Sequence, residues 1–109
     1  MNHKEKIQTH AEIITKMHDI YIAKNNDYGD SFSKIRAKYP ISILIRLNDK
    51  LSRLEALLTG TNPMVKNESI DDTLYDLANY CVLELIERIE DAQYLELLKV
   101  HAVGNGCDV

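Results

Sequence analysis

Apolar residues recur at steps of three and four in three separate stretches of this chain, and only an α-helix gathers such steps onto one face. Ile7, Ala11, Ile14, Met17 or His18, Tyr21 and Ile22 mark a first helix from about Lys4 to Lys24. Leu44, Leu47, Leu51, Leu54 and Leu58 form the seam of a second, between about Ile41 and Leu58. Ile70, Leu74, Leu77, Cys81, Leu85 and Ile89 form the apolar face of a third, which starts near Glu68 or Ser69. Ser69 is placed to cap it, with Asp71 and Asp72 in the first turn, where the helix dipole favours them. Past Asp91 this block either runs on as one helix or breaks near Ala92 into a short fourth one. Turn formers from Asn25 to Ser31, and then Gly60-Thr61-Asn62-Pro63, separate the three blocks. Ser33 to Tyr39 reads as a short helical turn closed by Pro40. No stretch shows sustained strand alternation. The expectation is a single all-α domain over residues 1–103, a small bundle of three long helices, with a loose tail at 104–109.

Composition narrows the function. At 109 residues the chain has room for one domain. A net charge of −4 disfavours an extended nucleic-acid surface, although a local basic pocket for a nucleotide is compatible with it. Nothing approaches the run of roughly 18 apolar residues that a membrane span needs. The charged start, Met1-Asn2-His3-Lys4-Glu5-Lys6, does not look like a secretion signal, so a cytoplasmic location is expected. Cys81 and Cys107 make neither a metal motif nor a disulfide framework, and Cys81 is expected as an inert thiol in the core. His3, His10, His18 and His101 lack zinc-ligand spacing, and His18 lies on the inner edge of the first helix. A short helical chain with leucine seams is expected to form a homo-oligomer, a dimer or larger.

Chemistry concentrates in the third block. Glu68, Asp72 and Asp76 are spaced by four, so a helix stacks them on one face with Asn79 beside them. Like charges at that spacing repel, and a Mg²⁺ ion removes the repulsion by using the same oxygens as ligands. The stripe continues into Tyr80 and Leu83, which turns the acids toward a cleft between helices. On the second helix Arg46, Asp49, Lys50 and Arg53 follow steps of three and four. Asp49 is a candidate to complete a carboxylate cluster, and the cations are candidates for phosphate contacts. The loop Lys24-Asn25-Asn26-Asp27-Tyr28-Gly29-Asp30-Ser31-Phe32 sets an aromatic ring beside acids and a lysine, which suits a base or ribose with its phosphate. Simpler readings stand beside these: a solvated acidic helix start, an interhelical salt-bridge network, and aromatics that pin a loop.

The segments Lys24 to Phe32, Arg46 to Leu54 and Glu68 to Tyr80, in that order, resemble the first nucleotide modification-associated domain family, which is common in phages and prophages. That resemblance implies a nucleotide context. More distantly, the helix order and the acidic third helix look like the MazG-like all-α nucleoside triphosphate pyrophosphohydrolases. In that superfamily Glu-x-x-Glu on one helix and Glu-x-x-Asp on the next hold Mg²⁺ against a triphosphate. Here Asp76 stands at the motif's Asp, Thr73 occupies its Glu position, and Asp49 has no second acid three residues away.

The likeness implies a Mg²⁺-dependent enzyme that converts a nucleoside triphosphate to a monophosphate and pyrophosphate. Asp72 and Asp76 would be catalytic, and Asp49, Glu68, Asp72 and Asp76 would hold the metal. Lys24, Asp27, Tyr28, Asp30, Arg46, Lys50, Arg53 and Asn79 would contact substrate. Two alternatives remain open at this point. One is a module that binds a nucleotide without turnover, and the other is a helical interaction protein whose charges pair across an oligomer interface.

Overall fold

In the computed structural model the described residues are 1–25, 30–60 and 67–104, with backbone alone at 67–69 and 101–104. Among them there are four helices and no strand: α1 (His3–Ala23), α2 (Phe32–Lys38), α3 (Ser42–Thr59) and α4 (Asn67–Gly104). The all-α expectation holds. The short helical turn expected at Ser33 to Tyr39 is α2, which ends before Pro40. The C-terminal block does not break at Ala92, because α4 continues through it for 38 residues. At 1.5 Å per residue that makes a rod of about 57 Å. Ser69 is the third residue of α4 and not its cap; of the tail expected at 104–109, Gly104 is the last residue of α4 and 105–109 lies outside the described residues.

Local chemistry sets the helix ends. Asn2 caps α1 reciprocally: its Oδ1 accepts from the Glu5 backbone N–H at 2.8 Å, and its Nδ2 donates to Glu5 Oε1 at 2.9 Å. Pro40 cannot extend α2, and the chain turns there, with the Ser42 N–H donating to the Tyr39 carbonyl at 2.8 Å as α3 begins.

Packing departs from the simplest reading of the periodicity. The main contact is α3 along α4, with α1 crossing α4 more lightly and contributing no fully buried residue. Phe32 and Leu83 are the buried apolar centre, surrounded by Ile20, Tyr21, Ile43 and Tyr80. Thus α4 faces its neighbours through Thr73, Asp76, Asn79, Tyr80 and Leu83, and the stripe carrying Leu74, Cys81, Leu85 and Ile89 is exposed. Cys81 is correspondingly an exposed thiol and not a core one. On α3 the leucine seam is seen edge-on: Leu47 and Leu54 are half-buried, whereas Leu44, Leu51 and Leu58 are exposed. The molecule is elongated, 67 × 37 × 22 Å. No described helix is long and apolar enough to cross a membrane.

Candidate functional site: a carboxylate held by two lysines

The cations of α3 meet α4 in an antiparallel ladder. Arg46 places its guanidinium carbon 5.9 Å from the centroid of the Tyr80 ring. One turn along, Lys50 Nζ lies 3.3 Å from Asp76 Oδ2. At the next step Arg53 Nε donates to Thr73 Oγ1 at 3.2 Å. Their spacing of four and three on α3 is answered by four and three on α4, as it is for two facing helices. Lys24, at the end of α1, completes the junction with its Nζ 3.3 Å from Asp76 Oδ1. Both oxygens of Asp76 therefore carry a lysine from a different helix, and its side chain is only 18% exposed. In such a setting a charge pair is stronger than at an open surface, and any anion entering meets two ammonium groups already in place.

The remaining candidates divide. Asp49 and Asp72 are exposed, and Asp30 is exposed at the start of the α2 segment. Asp27 and Tyr28 lie outside the described residues, as does the side chain of Glu68. Asn79 is buried, and its Nδ2 donates to the Met17 carbonyl at 3.2 Å. It ties α1 to α4. Among the described residues no three His, Cys, Asp or Glu side chains gather closely enough to hold a metal ion. The inward row of three acids is therefore seen only at Asp76, where α1 and α3 converge on α4.

Two features were not expected. Arg36 of α2 makes a two-pronged contact with Glu84, Nε to Oε1 at 2.9 Å and Nη2 to Oε2 at 3.0 Å, and reaches Asp91 at 3.1 Å. These hydrogen bonds to Glu84 hold the guanidinium above its ordinary pKa, against the opposing effect of burial. Ser33 donates to Glu87 beside them. The signal available in the sequence was the acid row Glu84, Glu87, Asp91 at helical spacing. The second feature is a pair of clefts of about 290 Å³ each, one on either side of α1 where it crosses α4. In one, Lys16 Nζ sits 5.2 Å from the Tyr75 ring centroid, between Ile13 and Leu74. In the other, His18 stacks on Tyr21 near Asn79. Both are mostly apolar, and neither is lined by Asp76 or its lysines, so the charged junction lies apart from these two clefts.

The model of the family described as nucleotide modification associated domain 1 matches residues 24–87, more than half of the chain. No curated protein and no solved structure matches significantly. The matched segment opens at Lys24 and contains Lys50, Asp76, α2 and the whole α3–α4 ladder. The chain belongs to the nucleotide modification associated domain 1 family.

Proposed function

We propose that the protein takes a nucleotide at the junction of α1, α3 and α4, with the phosphates received by Lys24 and Lys50 and flanked by Arg46 and Arg53. The observation that carries this is the carboxylate of Asp76 shared by two lysines, inside the segment that matches a nucleotide-associated family. An incoming phosphate offers those ammonium groups the same kind of oxygen partner, with more charge.

The reaction class follows the likeness to MazG-like pyrophosphohydrolases. Water adds its oxygen to phosphorus, the α–β bridging bond breaks with its electron pair staying on pyrophosphate, and a monophosphate is released. Asp72, one turn before Asp76 and open to solvent, is the candidate acceptor of the water's proton. Lys24 and Lys50 neutralise charge on the phosphate oxygens. The described carboxylates do not surround a common point, so they do not form a ready cation cage. Mg²⁺ would be carried by the triphosphate, since it ordinarily takes only one or two protein carboxylates beside phosphate oxygens. Asp76, Asp72, Asp49 and Glu68 are the candidates. The same observation favours a second reading, in which the nucleotide is bound without turnover.

One experiment separates these. The protein is mixed with a panel of nucleoside triphosphates and MgCl₂, and melting temperature and released pyrophosphate are read together. A ligand at 100 times its Kd stabilises by about 2.7 kcal/mol. Stabilisation with pyrophosphate, abolished in Asp72→Asn and Asp76→Asn, supports hydrolysis. Stabilisation without product supports binding alone. Lys50→Ala should weaken affinity at least tenfold, about 1.4 kcal/mol. No stabilisation by any nucleotide overturns both readings.

A further inference from the structure

One apolar face of α4 has an order that its packing on α3 does not use: Leu74 and Ala78 border the open cleft beside α1, and Cys81, Leu85 and Ile89 are exposed. Ile70, Leu74, Ala78, Cys81, Leu85 and Ile89 follow one another at steps of four, four, three, four and four, which places them in one stripe. The stripe lies nearly opposite the face that α4 turns to α3. Leu74, Leu85 and Ile89 are 45%, 58% and 57% exposed. Read in either direction the stripe is the same: isoleucine, leucine, a small residue, a small residue, leucine, isoleucine. A helix apolar on two opposite faces is ordinarily covered on both.

We propose that this face is a two-fold interface at which α4 of a second copy packs antiparallel. The register is fixed by the palindrome. Leu74 meets Leu85 of the second copy, Ile70 meets its Ile89, and Ala78 meets its Cys81, so the small residues at the dyad let the two rods approach closely. The flanking charges fit the same register, because Asp71 of one copy comes level with Arg88 of the other; both are exposed in the single chain. Such mutual pairing, residue i on j and j on i, is what a two-fold axis requires. Rows of side chains four apart are also ridges by which packed helices interlock.

The single chain leaves more surface open than a compact protein does. The single chain has 8471 Å² accessible. A compact protein of its 12.5 kDa mass would have about 6,200 Å². The excess, on the order of 2,300 Å², is spread over the elongated chain, and the α4 stripe is one part of it. A stripe from Ile70 to Ile89 gives the pair about 28 Å of helix to share.

Sedimentation equilibrium of the full chain at micromolar concentration should give twice the chain mass. Leu85→Glu should return the mass to that of one chain while far-ultraviolet circular dichroism stays helical. Cross-linking tests the register and does not depend on that variant folding. In a Cys81→Ser, Cys107→Ser background, a Leu74→Cys chain mixed with a Leu85→Cys chain should form a disulfide on mild oxidation. Leu74→Cys alone should not, because a bridge needs Cα atoms within about 7 Å. A monomeric wild-type protein overturns the proposal. So does a dimer whose mass Leu85→Glu leaves unchanged, or a disulfide between two Leu74→Cys chains.

Discussion

Asn79 and Asp76 sit three residues apart on α4, and their surroundings assign them different work. Asn79, 1% exposed, bonds the Met17 carbonyl across the lightly packed α1–α4 crossing. Asn79→Ala removes that bond and leaves a small void, and should cost about 2 kcal/mol. Urea unfolding monitored by circular dichroism measures the loss. Because Asn79 touches neither lysine of the Asp76 junction in the contacts seen, phosphate affinity should fall far less than in Lys50→Ala. The sequence placed both residues on the acid stripe correctly, since helical spacing is a local property. It could not separate a polar side chain buried against a backbone carbonyl from one offered to a ligand. Nor could it distinguish Asp76 from Asp72, whose spacing is equivalent, because the difference is that Lys24 and Lys50 converge on one of them.

Among the elements, α2 shows how a seven-residue helix is held in place. Phe32 enters the buried centre, 6.1 Å from the Tyr80 ring centroid at an interplanar angle of 60°, and Arg36 grips Glu84 a little further along α4. Helices this short are not stable alone, so these contacts carry α2. Phe32→Ala should cost 3–5 kcal/mol, by order of magnitude. Denaturant titration gives that figure, and amide hydrogen exchange should show the Ser33–Lys38 amides losing protection. Phe32, the chain's only Phe, is the anchor of α2, in line with the simpler reading in which loop aromatics pin the segment. Helix positions were legible throughout, because apolar steps of three and four report them directly. Which face turns inward was not, because α4 carries apolar residues on two sides and periodicity does not rank them. The two ends of the third block show the same limit: neither Ser69 nor Ala92 carries a local signal strong enough to override neighbours that favour helix.

The whole molecule is extended beyond what a 109-residue chain needs, with a radius of gyration of 19.1 Å against about 13 Å for a compact domain of this length. Phe32 and Leu83 are the only fully buried apolar side chains among the described residues. The two-fold pair proposed above makes stability depend on concentration, so on that proposal the melting temperature should rise by about 3 °C for each tenfold increase in protein. Calorimetry over two decades of concentration checks this, and Leu85→Glu should flatten the slope. One rod, α4, carries the Asp76 knot on one side and the palindromic stripe on the other. Anything that slides that rod along its axis is felt on both sides at once, so the two halves of a pair would be geared together, like racks on a common pinion.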